Sequence, residues 1–373
     1  MTTALDHQFM GRAIQLAQSS IYSPHPNPRV GCVMTQQDEI QAEGWHIYPG
    51  GPHAEVNALA NMITGSQGAT VYVTLEPCSH QGKTPPCADA LIKAGVARVV
   101  IAMQDPNPLV SGQGIQRLRD AGIEVSVGVL QAAAEKLNVG FIQRMRSARP
   151  FVRSKLAMSL DGRTAMASGE SKWITSASAR RDVHVLRAGS AAILTGIGTV
   201  LADDPSLTVR AKENALELPL YVEQASQPLR VVLDSELKIP LDAKLLHQPG
   251  ETLIFSCCDD VEKIVALNDV GADVVVLPGQ QPALSAVLSE LASRQVNEVL
   301  VEAGSVLNGQ LLNQGLIDEL VIYIAPLLMG DGAKGLFHMP ALQAMADKVA
   351  VEISDIRAVG KDWRVTAHPV PHC

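Results

Sequence analysis

Residues 69–78 read ATVYVTLEPC, followed by CADALIKAG at 87–95, ARVVIAM at 97–103, GIQRLRDAG at 114–122 and IEVSVGV at 123–129. Three β-branched apolar runs alternate with two segments of helical apolar spacing, which predicts a βαβαβ repeat. Strands joined by helical crossovers run parallel and are buried on both faces. A mostly parallel sheet covered on both sides is therefore expected. Upstream, residues 4–20 space Phe9, Ala13, Ile14, Leu16 and Ala17 as a helix, and SPHPNPR at 23–29 has too many prolines to be anything but a loop. VGCVM at 30–34 and the segment around 39–46 read as a hairpin, and PHAEVNALANM at 52–62 as a helix opened by Pro52.

Downstream, a basic helix over 131–149 leads to Pro150, and then the pattern restarts. FVRSKLAMSL (151–160), AAILTGIG (191–198), LRVVLDS (229–235), TLIFSC (252–257), DVVVLPG (273–279), NEVLVEAG (297–304) and ELVIYIAPLL (319–328) all read as strands, with helices at 176–189 and 281–294. Two α/β domains are expected, 1–149 and 150–373, with residues 211–228 as a surface excursion.

The chain has 373 residues, 47% hydrophobic and 18% charged, which excludes disorder. Its formal net charge of −8 provides no global field for nucleic acid. No stretch approaches the roughly 20 apolar residues of a membrane span, and the N-terminus lacks the basic and apolar regions of a signal peptide. A cytoplasmic location is expected. Six cysteines in such a chain are not a disulfide framework. Cys32, Cys257 and Cys258 read as small buried hydrophobes, and Cys373 as a frayed end. Cys78 and Cys87 differ, because each follows a proline and lies near a His or Glu motif.

Zinc catalysis wants three protein ligands and one open position. His53, Cys78 and Cys87 supply an imidazole and two thiolates, and Glu55 follows His53 by two residues. The order H-x-E then P-C is that of zinc deaminases of nucleobases, in which the Glu moves protons and is not a ligand. Here eight residues (SHQGKTPP) separate the cysteines, where that signature has two. Within a helix His53 and Glu55 would diverge by roughly 200°, but at a first turn both can reach a metal at the helix mouth. Cys87 also opens a helix, where the dipole favours a thiolate. A structural zinc would be expected to bring four Cys or His ligands; His80 is a conceivable fourth but more plausibly meets substrate.

NPRVGCV, HAEVNAL, TLEPCSHQGKTPPC and DPNP resemble the N-terminal domain of the bifunctional riboflavin-biosynthesis family RibD. SKLAMSLDG, GESKWIT, TGIGTVLADDPSLTVR and VEAGSVLNG resemble its C-terminal reductase domain, so the resemblance covers essentially the whole chain. It implies a cytidine-deaminase-like three-layer α/β/α domain followed by a dihydrofolate-reductase-like α/β domain. The implied reactions are deamination of a diaminohydroxyphosphoribosylaminopyrimidine, then NADPH-dependent reduction of its ribosyl group to ribityl. The resemblance further implies one Zn2+ at His53, Cys78 and Cys87, a proton-moving Glu55, and Asn27, His80, Asp105 and Asn107 around the pyrimidine. By residue type alone Asn27, Asp105 and Asn107 would be turn residues beside prolines.

In the second domain no G-x-G-x-x-G follows a first strand, so an ordinary dinucleotide site is not supported. The turns Thr195–Thr199 and Glu302–Ser305 either present backbone N–H groups to a phosphate or are plain turns. Along 151–160, Val152, Leu156, Met158 and Leu160 share one face, and Arg153, Lys155 and Ser159 the other. That cationic row is either an anion groove or a solvated face. Arg180, Arg181, Arg187 and Arg210 are candidate phosphate ligands, and the resemblance favours Arg187 and Arg210. It places NADPH at Ala157, Trp173, Thr199, Asp203, Ser235 and Gly304 with the following Ser305, Val306, Leu307, Asn308, Gly309 and Gln310. It places the ribotide at Lys155, Ser171, Arg187, Leu207, Arg210 and Glu302. A small-molecule substrate, no nucleic-acid or membrane partner and a homo-oligomer, dimer or larger, are expected.

Overall fold

The computed structural model describes residues 2–20, 25–63, 65–80, 85–108, 110–211, 213 and 227–370. The chain forms two compact units, Met1–Arg149 and Pro150–Cys373.

Among the described residues, the first unit runs α1 (Ala4–Gln18), β1 (Gly31–Gln36), β2 (Glu39–Trp45), α2 (Ala54–Ala60), β3 (Thr70–Leu75), α3 (Cys87–Lys93), β4 (Arg98–Met103), α4 (Gln113–Asp120), β5 (Glu124–Val127), α5 (Gln131–Leu137) and α6 (Val139–Ser147). Its sheet has the order β2-β1-β3-β4-β5. β3, β4 and β5 are parallel, whereas β1 is antiparallel to both of its neighbours, so the sheet is mixed and not mostly parallel. The hairpin is the cause, because a short turn can only return a strand antiparallel.

Strand alternation builds the three layers. Cys32, Met34, Val71, Val73, Val99 and Ile101 pack against Ala54, Ala58, Ala88, Leu91, Ile115 and Leu118. The intervening Val33, Tyr72, Val100 and Ala102 pack against Phe9, Met10, Ala13, Ala134 and Ile142 on the other face. α2 lies so close to β2 that a Cβ on Gly44 would sit 2.4 Å from the Ala58 nitrogen. Only glycine permits that approach, which carries the start of α2 to the strand ends.

Two helix boundaries differ from the sequence reading. α2 begins at Ala54 with His53 as its N-cap, so Pro52 stands outside it. The segment 131–149 is two helices, not one, because Asn138 leaves helical geometry. Its amide accepts from the Arg29 N–H at 2.8 Å and donates to the Arg29 carbonyl at 2.9 Å, a tertiary pairing that outcompetes continuation of the helix.

In the second unit the described elements are β6 (Phe151–Ser159), β7 (Arg163–Ala165), α7 (Ala177–Ala188), β8 (Ala192–Gly196), α8 (Ile197–Asp203), β9 (Leu229–Leu233), β10 (Thr252–Ser256), α9 (Val261–Asp269), β11 (Ala272–Val276), α10 (Leu284–Ser293), β12 (Glu298–Val301), α11 (Ser305–Asn313), β13 (Glu319–Ala325), β14 (Lys334–Gly335), β15 (Val351–Val359) and β16 (Asp362–Pro369). The large sheet has the order β11-β10-β9-β8-β12-β6-β13-β16-β15. It is parallel from β11 to β13 and ends in the antiparallel β16 and β15. Gly196 closes β8 and caps α8, so TGIG turns into a helix where a longer strand was expected. Of the expected excursion at 211–228, residues 212 and 214–226 lie outside the described residues, as does Cys373. Cys32 is fully buried, but Cys257 and Cys258 are only half-buried at the end of β10. Among the described residues no helix is long and apolar enough to cross a membrane.

A buried charge cluster ties α1 to the sheet. Asp6 accepts from Arg98 at 2.7 and 3.1 Å, from the Tyr72 hydroxyl at 3.0 Å and from the Thr3 N–H at 2.8 Å. Arg98 holds the Asp6 carboxyl far below the usual carboxylate range. Asp6→Asn leaves the Arg98 charge poorly partnered and is expected to lower unfolding stability by about 3 kcal/mol at pH 7. Because the folded-state pKa is depressed, this contribution is full above the ordinary carboxylate pKa of about 4 and fades as pH falls toward the folded value. Urea unfolding of wild type and variant at pH 7 and pH 3 should show the gap narrowing in acid; an equal gap at both would refute it.

Candidate active sites

His53 is the N-cap of α2, with φ −73° and ψ 167°, and its side chain makes no capping hydrogen bond. It faces the thiols instead. His53 Nδ1 lies 3.2 Å from Cys87 Sγ and 3.5 Å from Cys78 Sγ, and the three donor atoms lie within 4.8 Å of one another. Cys78 follows β3 after Pro77, and Cys87 is the first residue of α3, its N–H donating to Cys78 Sγ at 3.2 Å. The Cys87 thiol beside it pulls Cys78 down toward thiolate, while that charge together with burial pushes Cys87 up. Cys78 in turn raises the His53 imidazole above its ordinary value. Two sulfurs this close, Cys87 buried and Cys78 half-buried, cannot both ionise readily without a cation, and an imidazole with two thiolates leaves one position of a zinc tetrahedron open. The donor set therefore fits zinc.

Glu55 is buried in the first turn of α2, and that burial, with the Cys78 charge, pushes its carboxyl up to about 7. Cys87 is among its hydrogen-bond partners, so it faces the same centre. Asn27 is brought to this region by a residue that sequence reasoning missed. His46, buried just beyond β2, donates from Nδ1 to the Pro52 carbonyl (3.1 Å) and accepts at Nε2 from the Asn27 amide (3.0 Å). Burial holds its pKa down, which suits this neutral tautomer, and its ring stands edge-on to His53 with centroids 5.4 Å apart. A lone histidine after a strand carries no signal of its own, and only the fold makes it a neighbour of His53.

Glu76, in the stretch TLEPC, has a role that its sequence neighbours do not reveal. Buried at the end of β3, it accepts from the backbone N–H groups of Asp105 (3.1 Å), Gly112 (2.9 Å), Gly114 (2.9 Å) and Ile115 (3.2 Å). It thus caps α4 and fixes the loop carrying Asp105 and Asn107. Asp105 accepts from the Asn107 N–H at 2.8 Å, and burial lifts its carboxyl to about 6. His80 and Cys78 both act electrostatically on Asp105, so it shares their neighbourhood; His80 itself is exposed. A Cβ on Gly114 would sit 1.9 Å from the Pro77 carbonyl, which shows how closely α4 abuts the Cys78 strand end.

In the second unit Ser235, Glu302 and Gly304 follow the C-terminal ends of parallel strands, where such sheets bind ligands. Val301 pairs with Ser154, so Glu302, one residue past β12, and Lys155 of β6 come next in line and interact electrostatically. Glu302 takes both arms of Arg187, Nε at 2.5 Å and Nη2 at 2.9 Å. Burial lowers Lys155, with Glu302 acting in the opposite direction. The cationic row of β6 is thus no solvated face, since Arg153 is paired with Glu298 and Glu319. Arg187 is thus held by Glu302, and Arg210 lies on the surface with Glu213 at 3.5 Å. Leu207 is buried at φ 48°, so its backbone and not its side chain could meet a ligand.

Trp173 is 70% exposed with the Arg180 guanidinium 4.6 Å from its ring centroid, so it is no core aromatic, and Arg180 is engaged there. Ala157 lies on β6, Thr199 and Asp203 on α8, and Ser235 just past β9, while Ser171 precedes α7. Gly304 caps α11, whose first intrahelical bond runs from the Asn308 N–H. The amides of Ser305, Val306 and Leu307 are therefore those the helix leaves unused, with Gln310 exposed a turn later. Asn308 and Gly309 are turned inward. The Asn308 side chain joins Ser154 Oγ (2.6 Å) to the Ala303 and Gly304 carbonyls (2.8 and 3.1 Å), and Gly309 abuts the His338 backbone.

Residues 150–365 match the family model of the RibD C-terminal domain, and residues 3–103 match that of the cytidine and deoxycytidylate deaminase zinc-binding region. The chain belongs to the RibD family. It is a two-part riboflavin-biosynthesis enzyme with a deaminase and a reductase. The RibD of Escherichia coli K12 is 50% identical over 96% of this chain and 97% of its own length. Among solved structures, RibD of Acinetobacter baumannii superposes with a TM-score of 0.91 at 44% identity, covering 98% of this chain and 99% of that one. The deaminase/reductase of Thermotoga maritima gives a TM-score of 0.85 at 34% identity, with the same coverage.

For this RibD-family chain, Glu76→Gln replaces a carboxylate that accepts four backbone hydrogen bonds with an amide that cannot accept them all. The expected cost is about 2 kcal/mol of stability, with weakened deamination and unchanged reduction of added deaminated ribotide. Thermal melts with both assays on one preparation check it, and equal loss of both activities would contradict the placement.

Proposed function

We propose that the first unit deaminates a diaminohydroxyphosphoribosylaminopyrimidine and the second reduces the resulting phosphoribosylaminouracil with NADPH. The convergence of the His53, Cys78 and Cys87 donor atoms beside buried Glu55 carries this reading. Zinc, when bound by those three residues, supplies Lewis acidity that makes water a nucleophile at neutral pH. Glu55 then takes a proton from the attacking water and returns one to the departing amine, so that a C–O bond forms, the C–N bond breaks and ammonia leaves. A carboxyl raised toward neutrality suits a group that must both accept and give. Asn27, held by His46, and Asp105 with Asn107, held by Glu76, orient the polar ring edge, with His80 beside them.

In the second unit, Ala157, Trp173, Thr199, Asp203, Ser235 and the start of α11 would hold NADPH, which when bound would supply a hydride. C1′ of the ribosyl gains that hydrogen with its electron pair, the C1′–O4′ bond breaks, and O4′ takes a proton. Lys155, buried beside Glu302, is the ammonium at hand for that proton. Ser171, the Leu207 backbone and Arg210 hold the ribotide, Arg210 meeting its phosphate. We further read the protein as a cytoplasmic homo-oligomer. Reduced thiol ligands suit that compartment, and β15 is a sheet edge exposed along nearly its whole length, with Val351, Ile353 and Ile356 open.

Glu55→Gln is expected to keep zinc while ammonia release falls by about 100-fold or more. Near-normal release with zinc bound would rule out the proton role. Removal of metal by a chelator should stop deamination and spare NADPH oxidation with added deaminated ribotide. Loss of both activities would mean that the metal is structural.

A further inference from the structure

Arg180, a candidate phosphate ligand by residue type, is put to another use in the structure. It is half-buried in the first turn of α7, and its guanidinium carbon lies 4.6 Å from the Trp173 ring centroid, over the ring. Nη1 of the same group donates to the Thr175 carbonyl at 2.8 Å. The planar guanidinium is therefore braced by a hydrogen bond while it covers one face of the indole. Trp173 is nevertheless 70% exposed, so what remains open is the other face of the ring and its edges.

The backbone on either side of the indole is tied down as well. Before it, Lys172 Nζ lies 3.2 Å from the Asp203 carbonyl oxygen and 3.5 Å from the Asp203 carboxylate, which fastens this loop to the end of α8. After it, Ser176 caps α7 and donates its N–H (2.8 Å) and its hydroxyl (2.5 Å) to the fully buried Asp362. A Cβ on Gly360 would sit 2.7 Å from Ser178, so the turn between β15 and β16 presses on the same first turn of α7 that carries Arg180. A single exposed aromatic is ordinary on a protein surface and needs no partner. This one has been given a fixed orientation. An indole on a free loop would lose rotamer freedom on meeting a ligand, whereas here the ordering is complete beforehand. The Lys172 link also sets the loop against α8, whose Thr199 and Asp203 belong to the same cofactor reading.

We propose that Arg180 is a positioning residue of the reductase, its guanidinium, braced on the Thr175 carbonyl, holding the Trp173 indole as a preset shelf whose open face stacks on an aromatic ring of NADPH. This rests on the reading of Trp173 as a cofactor contact. Arg180 then acts on cofactor affinity through Trp173 and leaves ribotide affinity and the chemical step unchanged.

Two measurements on the full zinc-loaded chain test it. The first is NADPH binding by calorimetry, without ribotide. Trp173→Ala should weaken binding about tenfold, the loss of one stacked ring. Arg180→Ala should weaken it about fivefold, the loss of one cation–π contact. Both substitutions together should be no worse than Trp173→Ala alone, and Arg180→Ala should leave kcat and KM for the ribotide as they are. The second is fluorine NMR of the chain labelled with fluorotryptophan at its three tryptophans. Trp173→Phe assigns the Trp173 resonance, which in Arg180→Ala should shift and narrow toward that of a freely turning indole while those of Trp45 and Trp363 stay in place. Weakened binding in Trp173→Ala with wild-type binding in Arg180→Ala would overturn the positioning role and leave the cofactor reading intact. Unchanged binding in Trp173→Ala would remove the cofactor reading of that residue and the proposal with it. If the Arg180→Ala loss adds in full to that of Trp173→Ala, Arg180 meets the cofactor itself; if the Trp173 resonance does not move, the ring is held without Arg180. Either result overturns the proposal, as would a ribotide KM that rises as much as the Kd for NADPH, the mark of a merely structural role.

Discussion

Two sulfurs within reach of one imidazole, one buried and one half-buried, set the terms for the first unit. Uncharged, they waste the helix N-terminus at Cys87; doubly charged, they repel in a medium that screens poorly. A divalent cation resolves the conflict, and each ligand sits where the backbone changes direction. His53 caps α2, Cys78 ends β3 and Cys87 starts α3. The apolar packing of α2, α3 and α4 on one sheet face holds these three points together. Metal affinity is then partly folding energy, because the unfolded chain has no such cluster.

Charge in the second unit is organised by a different rule. Glu302 faces Arg187 directly and acts on Lys155 on the neighbouring strand, so one carboxylate serves two cations in a buried setting. Its own carboxyl stays below the ordinary value despite burial, because Arg187 and Lys155 outweigh the desolvation. Removing the carboxylate would leave two unpartnered cations, which costs far more than the pair contributes when intact. The register brings them together, since Val301 pairs with Ser154 and Glu302 and Lys155 come next in line, with Val321 of β13 on the other side of Lys155.

What could be read in the sequence is what local chemistry writes there. The alternation of Val71, Tyr72 and Val73 assigned a strand buried on both faces, and the order of His53, Glu55, Cys78 and Cys87 assigned the metal centre. What was illegible depends on partners far along the chain. Asn138 breaks a helix because of Arg29, Glu76 acquires its role from Gly112, Gly114 and Ile115, and Arg187 is paired with Glu302. β15 escaped notice because it is exposed on both faces, so it has no apolar alternation to betray a strand.

The H-x-E spacing itself gains a different explanation from the structure. Two residues apart within a helix, the side chains would diverge by roughly 200°. A backward lean at the first turn was one way to reconcile them, but His53 is not helical at all. Its ψ of 167° is extended, so the chain bends between His53 and Ala54, and the imidazole leaves on the strand side while Glu55 comes from the helix. The motif thus encodes a cap and a first-turn residue. That geometry depends on α2 pressing against β2 at Gly44, where a side chain would collide with the helix backbone. A glycine in the hairpin is therefore as much a condition of the metal centre as the ligands are, although it touches none of them.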